Sequence, residues 1–338
     1  MLLEIKQRGS YLENEPVKTI YFGGGTPSFL ADEFLEKILE EIHKNFTVER
    51  DAEITLECNP DDITAARLNT FKSIGINRFS MGVQSFDDDV LKFMNRAHTS
   101  REITESIDLA KAAGFENITV DLIYGIPGKK EDYWKQQLDH FLKLDVPHLS
   151  SYCLTIEPKT YFGSLQKKGV LNAAPDENSL AEFQYLMDFT KVHGYEHYEI
   201  SNFAKPGFIS RHNSAYWLGE KYLGIGPSAH SYNQQTRGWN VANNTSYIQA
   251  LENGTNYHEV EELTVENRCN DYLLTRLRTK WGVDLSDLEF IGKDRLLKMQ
   301  NSFRFYAECG WVEVKNDVFV LTDNGKYRAD GLAADLFI

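Results

Sequence analysis

Apolar positions along the first half of the chain follow two periods in alternation. Residues 18–22 form a short β-prone run that stops at Gly23-Gly24-Gly25, and over 31–46 the residues Phe34, Leu35, Ile38, Leu39 and Ile42 return at helical spacing. The pattern then repeats. In 53–57, Ile54 and Leu56 alternate with polar partners, the Asn59-Pro60-Asp61-Asp62 turn follows, and Ala65, Leu68 and Phe71 mark a helix. Residues 77–84 predict a third strand with Phe79, Met81 and Val83 on one face, followed by helical stretches over 88–95 and 100–113. Residues 117–124 predict a fourth strand, stopped by Gly125-Ile126-Pro127-Gly128, then a helix over 131–144 and a fifth strand over 148–154. Strands alternating with helices imply a parallel sheet with right-handed crossovers, either open or curled. Chemistry then collects at the carboxyl ends of the strands, where Thr26, Glu57, Gln84 and the loop after Asp121 fall.

The rhythm weakens after about residue 155. A helix is predicted over 176–192, a strand over 195–200, and a long Gly-, Pro-, Asn- and Ser-punctuated loop-like region over 201–239. From about 260 two helices, over 265–279 and 293–310, precede a β-hairpin turning at Lys315-Asn316-Asp317, the order of a winged-helix module. Neither helix is rich in Lys and Arg, which favours a packing or partner surface over DNA binding. Three segments are therefore expected: 1–155, 156–259 and 260–338.

Composition narrows the function classes. The 338 residues carry 36 Lys and Arg against 50 Asp and Glu, a formal charge of −14, so a general nucleic-acid backbone binder is not expected. No window approaches eighteen uninterrupted apolar residues and no secretory signal is visible, so a cytoplasmic protein without a transmembrane segment is expected, with peripheral membrane contact left open. Cys58, Cys153, Cys269 and Cys309 lie far apart with no CxxC pair, which fits reduced thiols.

Several motifs carry candidate chemistry. Gly23-Gly24-Gly25-Thr26-Pro27 puts permissive backbone where a strand meets a helix, suiting either a ligand-contacting turn or a tight structural one. Glu57 ends a strand and could accept from ribose hydroxyls, or be merely solvated. Asp121 interrupts an apolar strand, and a carboxylate there needs partners or a ligand. Gln84 and Arg96 signal weakly by themselves. His212, Tyr216 and Trp217 place an imidazole beside two aromatic rings, a set that suits haem or an ordinary hydrogen-bonded histidine.

Together YFGGGTPS at 21–28, ECNPD at 57–61, GVQSF at 82–86, NRAHT at 95–99, VDLIYGIPG at 120–128 and the run from RHNSAYW to YLGIGPSAHS at 211–231 resemble the radical S-adenosylmethionine family of oxygen-independent coproporphyrinogen III oxidases. HNSAYW at 212–217 resembles the mark of its haem-chaperone branch. The resemblance implies an α/β fold: a partial (βα)6 radical SAM barrel lacking its first strand, an α+β middle region associated with haem, and a C-terminal winged-helix-like domain. It implies that Gly24, Gly25 and Thr26 hold the methionyl end of S-adenosylmethionine, and that Glu57, Gln84, Arg96 and Asp121 hold its ribose, carboxylate and remaining polar groups. His212, Tyr216 and Trp217 would face haem. Relatives carry a [4Fe–4S] cluster on a CxxxCxxC loop before the GGTP strand, which none of the four cysteines replaces. Either a natural protein that begins upstream of Met1 or a naturally degenerate member is therefore expected, the first being favoured by the completeness of the remaining ligand set, and radical chemistry is not expected of the chain without that segment. The implied function is delivery of haem to apoproteins; the alternatives are oxidative decarboxylation of coproporphyrinogen III propionates and a non-enzymatic scaffold that uses only the winged-helix-like end.

Overall fold

A computed structural model describes residues 1–130, 132–169 and 171–338. Seven strands join in one sheet: β1 (Val17–Phe22), β2 (Val48–Cys58), β3 (Arg78–Gln84), β4 (Asn117–Tyr124), β5 (His148–Cys153), β6 (Glu196–Glu199) and β7 (Asn202–Ala204), in the order β1-β2-β3-β4-β5-β7-β6. The pairs β2·β3, β3·β4 and β4·β5 are parallel, as the alternation of strands and helices requires, while β5·β7 and β6·β7 are antiparallel. The mixed α/β half-barrel implied by the resemblance is present. The strand expected at 195–200 is β6, and the short connection from β6 to β7 closes an antiparallel pair on the edge of a parallel sheet.

Contacts divide the chain into two compact units, Met1–Ile20 with Glu33–Ala52 and Ser210–Ile338, and Tyr21–Asp32 with Glu53–Ile209. In the second unit, side-chain parity gives the sheet two faces. On one, Leu56, Phe79 and Ile118 are register partners, as are Met81, Val120, Leu149 and Phe203. All of these are buried to 0% exposure, Phe79 packs on Phe71 and Phe115, and the crossover helices Ser100–Ala112 and Tyr133–Lys143 bury Ile107, Leu138 and Phe141. Glu131, the first residue of the helix expected over 131–144, lies outside the described residues.

The first unit contains two further sheets, β8 (His230–Tyr232), β9 (Thr236–Asn240) and β10 (His258–Glu262) in the order β10-β9-β8, and β11 (Val283–Asp284), β12 (Val312–Lys315) and β13 (Val318–Leu321) in the order β11-β13-β12. Helices Val265–Leu277 and Lys293–Glu308 precede the β12·β13 hairpin, whose two-residue turn places Asn316 and Asp317 at φ 51° and 66°, the left-handed geometry that matches strand twist. Phe303 stacks on Phe319 with ring centres 4.4 Å apart and ties the hairpin to the helix. The loop-like reading of 201–239 is corrected. This stretch holds β7, a helix at Arg211–Trp217, β8 and most of β9. Ser210 caps the helix by accepting from the Asn213 N–H at 3.2 Å, and at seven residues the helix is too short for apolar periodicity to reveal it.

Candidate functional site

The other face of the large sheet is polar along its length. Thr55, Arg78 and Asn117 are register partners, as are Glu57, Ser80, Thr119 and His148, and then Asp121, Ser150 and Asn202. A packed β/α barrel fills these positions with branched apolar side chains. Here Thr55, Arg78, Thr119, His148, Ser150 and Asn202 are buried polar groups, and burying them costs free energy unless partners are supplied. Arg78 donates to Thr119 Oγ1 at 2.6 Å and to Asn117, and His148 Nε2 lies 2.8 Å from the Tyr198 hydroxyl. Burial, reinforced by Arg78, pulls the His148 imidazole well below its usual range and keeps it neutral.

At the carboxyl ends of these strands the candidate residues for S-adenosylmethionine gather. Gly24 and Gly25 have φ of 80° and 94°, which L side chains rarely adopt, and this lets the chain reverse directly after β1. A Cβ at Gly23 would lie 2.5 Å from the Tyr21 ring and 2.8 Å from Glu57 Oε1, so here space, not φ, demands glycine. Glu57 receives the Tyr21 hydroxyl at 2.6 Å on one oxygen and the Gly24 N–H at 3.2 Å on the other. The carboxylate thus braces the glycine turn.

Gln84 ends β3 at φ 66°, after a register irregularity between Met81 and Gln84, and such backbone strain costs on the order of 1 kcal/mol. Its amide nitrogen would stand 3.2 Å from a Cβ at Gly82, so the side chain lies back over that glycine. Asp121, on β4, receives the Ser80 hydroxyl only at long range, 3.4 Å to each oxygen. Burial pushes its carboxyl up to about 7, with hydroxyls of Ser150 and Ser80 and the Arg78 cation opposing and Glu57 adding to the rise. Burial lowers the Arg96 guanidinium, and the charges of Asp121 and Asp61 restore part of that loss. Gly24, Glu57, Asp121 and Arg96 are thus brought into one electrostatic neighbourhood. Gly25 and Thr26 stand in the exposed turn, with no hydrogen bond to that set.

Residues not singled out from the sequence complete this mouth: Tyr21, Ser80, Ser150, Asn202 and Glu199. Tyr21 has a signal in its position two residues before the glycines. The others become visible only once strand register is known.

The three haem candidates lie in the other unit. His212 and Tyr216 are four residues apart on the Arg211–Trp217 helix, hence on one face. His212 Nδ1 is 3.0 Å from Thr19 Oγ1, an interaction that orients the ring. Tyr216 is half exposed and packs edge-on to Trp217, with ring centres 5.4 Å apart, and against Tyr222 at 5.5 Å. The Arg278 guanidinium stands 5.4 Å from the centre of the Trp217 ring, whose buried indole N–H has no acceptor among the described residues.

The cysteines do not suit an iron–sulfur cluster. Cys58 and Cys269 are buried, Cys153 and Cys309 are exposed, and all four are free. Burial raises the Cys58 and Cys153 thiols and pushes Cys269 up to about 11, against the thiolate form that iron requires. Among the described residues, no three His, Cys, Asp or Glu side chains are arranged to hold a metal ion. Likewise no described helix is long and apolar enough to cross a membrane.

Comparison with known proteins places this geometry. The sequence model of the Radical SAM superfamily matches residues 2–141. The haem chaperone HemW of Bacillus subtilis is 37% identical over 313 residues, covering 92% of this chain and 83% of that protein. HemW of Lactococcus lactis is 37% identical over 277 residues, covering 82% and 73%. Coproporphyrinogen III oxidase HemN from Escherichia coli, described as a radical SAM enzyme, superimposes with a TM-score of 0.84 over 99% of this chain and 81% of its own, at 23% identity, a likeness of fold alone. With that identity to HemW spanning both the polar-faced sheet and the Arg211–Trp217 helix, the chain belongs to the HemW haem-chaperone family of radical SAM proteins.

Proposed function

We propose that the protein binds haem and hands it to apoproteins, and that the mouth of its polar-faced sheet binds S-adenosylmethionine. The observation that carries the reading is 37% identity to a haem chaperone across 92% of the chain. His212 supports it chemically: an imidazole is a haem-iron ligand, the Thr19 contact at Nδ1 orients its ring, and Tyr216 and Trp217 on the same helix offer apolar surface for a porphyrin face. Glu57, Asp121 and Arg96 supply two carboxyl groups and a cation for the ribose, ammonium and carboxylate of S-adenosylmethionine, and the Gly24-Gly25 turn lets backbone approach it. A cluster, when bound, would supply the electron for radical chemistry. The four cysteines of this chain do not fit it.

Titration with haemin followed by absorption spectroscopy tests the reading. His212→Ala should change the Soret band and weaken binding about tenfold or more, which corresponds to ~1.4 kcal/mol. An identical spectrum and affinity would remove His212 from the haem site. The oxidase alternative rests on likeness of fold to HemN, and conversion of coproporphyrinogen III by the purified protein would favour it.

A further inference from the structure

Asp121 stands at one end of a line of buried hydrogen bonds whose direction is set from the other end. Glu199, on β6, is 2% exposed, and its Oε2 accepts from the Ser201 N–H at 3.1 Å and from Asn202 Nδ2 at 2.6 Å. An accepting carboxylate oxygen requires the NH2 side of the Asn202 amide, which turns Oδ1 the other way. That oxygen lies 2.8 Å from the Ser150 hydroxyl and accepts its proton. A serine hydroxyl has one proton to give. Ser150 is the register partner of Asp121 and within hydrogen-bonding reach of its carboxyl. With its proton committed to Asn202, Ser150 offers Asp121 only lone pairs, which a protonated carboxyl can use and a carboxylate cannot.

We propose that Glu199 and Asn202 are positioning residues that commit the Ser150 proton away from Asp121, so that Asp121 retains its own proton in weakly acidic solution and meets its ligand as a donor. The charged and titratable groups around Asp121 do not override this. Tyr21 on β1 and Tyr152 on β5 are held neutral by burial, as is the Cys58 thiol on β2. Glu57 on β2 disfavours a second negative charge, whereas Arg78 on β3 and Arg96 favour it. Burial, the largest effect, brings the carboxyl to about 7 even with the Ser150 and Ser80 hydroxyls opposing, and committing the Ser150 proton to Asn202 removes part of that opposition. The ligand group that a protonated Asp121 suits is an oxygen acceptor such as a ribose or carboxylate oxygen. On losing its proton it turns to a hydroxyl or ammonium donor. This last consequence rests on the proposed S-adenosylmethionine pocket; the relay itself does not.

The test follows Asp121 in the ligand-free protein, by carbon-13 NMR of carboxyl-labelled aspartate, with Asp121→Asn identifying the signal. The parent should titrate with a midpoint of about 7 or above, since the Ser150 proton is not given to the carboxylate. Asn202→Leu frees the Ser150 proton to stabilise the carboxylate, and the midpoint should fall by about one pH unit. Glu199→Gln should lower it too, because an amide at 199 can meet either face of Asn202. Adding Ser150→Ala to Asn202→Leu should abolish the fall. An unmoved midpoint in either folded single variant overturns the relay, as does an equal fall in the double variant, since a purely structural role would not depend on Ser150. Calorimetric titration of the parent with S-adenosylmethionine from pH 5.5 to 8.5 should show affinity changing with the NMR midpoint. No binding at any pH would overturn the pocket reading and leave the relay to stand or fall on the NMR result.

Discussion

Replacing Glu4 by alanine should destabilise the protein by about 4 kcal/mol. Glu4 lies on the Leu2–Gln7 helix at 0% exposure, and its carboxylate accepts from Asn240 Nδ2 at 2.7 Å, the Gly226 N–H at 2.9 Å and the Tyr247 hydroxyl, with Arg8 Nη1 at 3.5 Å. Arg8 in turn donates to Gly224 O at 3.3 Å and Ser231 Oγ at 3.1 Å, so two side chains of one turn fasten the Gly-rich 224–231 segment. Truncation leaves a largely buried guanidinium, a buried amide and a buried phenol short of a partner. Breaking a buried charged pair from one side costs ~3–5 kcal/mol, and each hydrogen bond to a charged group contributes ~1.5–3 kcal/mol. The rest of that total is relaxation that the small side chain and entering water recover. Tyr247→Phe removes one donor and should cost about 2 kcal/mol. Lys6→Ala, which breaks a 3.8 Å pair between Glu41 and a lysine 59% exposed, should cost under ~1 kcal/mol. Urea unfolding monitored by tryptophan fluorescence reads these losses; at a slope of ~3 kcal/mol/M, Glu4→Ala should lower the midpoint by more than ~1 M. A loss below ~1 kcal/mol, or one equal to that of Lys6→Ala, would refute the reasoning.

Two further outcomes follow from the mouth of the large sheet. Asp121 has a folded-state pKa of about 7, above its unfolded value of ~3.9, so the folded state holds a proton that the unfolded state releases first. Its contribution is complete below about pH 4 and lost as pH rises towards 7, on the order of 4 kcal/mol, and Asp121→Asn should flatten that part of a stability profile measured by denaturant from pH 4.5 to 8; an unchanged slope counts against the assignment. Gly25→Ala meets no neighbouring atom but must adopt φ 94°, so it should lower stability by ~1–2 kcal/mol through backbone strain alone, and a thermal midpoint equal to the parent's would contradict that conformation.

The elements legible in the sequence are those whose burial follows a regular period. Asn117–Tyr124 and Asp176–Val192 lie where alternation and helical spacing predict, because each presents enough residues to one core for the period to show. The Arg211–Trp217 helix and the β8–β10 sheet escape that reading. The first makes two turns, and β10 reads HEVEE, with Val260 58% exposed and no buried side chain. Their stability comes from tertiary partners, such as the Asn240 contact with Glu4, which no local pattern records. Among the site residues, Glu57, Gln84 and Asp121 stand out because each ends or interrupts an apolar strand. Ser80 and Ser150 are ordinary serines in sequence, Glu199 lies in a predicted strand with nothing to mark it out, and Asn202 falls in the segment read as loop-like.

Strand register resolves this difference, and it also accounts for why the polar face persists. The apolar residues of β3 and β4 alternate with Arg78, Ser80, Thr119 and Asp121, a pattern that in an antiparallel sheet would mean one face in water. In this sheet both faces are largely buried, so the polar set carries a desolvation cost that its own hydrogen bonds only partly offset: Thr55 Oγ1 and His148 Nδ1 are buried without partners among the described residues. An apolar lining of the same volume would be the more stable choice. The charges are also graded along the face: Arg78 lies one register row below Glu57 and the neutral His148, and Asp121 one row beyond them, with Arg96 near it. A gradient that leaves the Glu57 carboxylate near the open end and satisfies the cation deeper in, chiefly with neutral partners, favours a ligand that brings positive charge and hydroxyl donors to the mouth. That is the chemistry of the sulfonium-bearing nucleoside proposed for this mouth, and the proposal gives a physical reason for a lining that stability alone would not select.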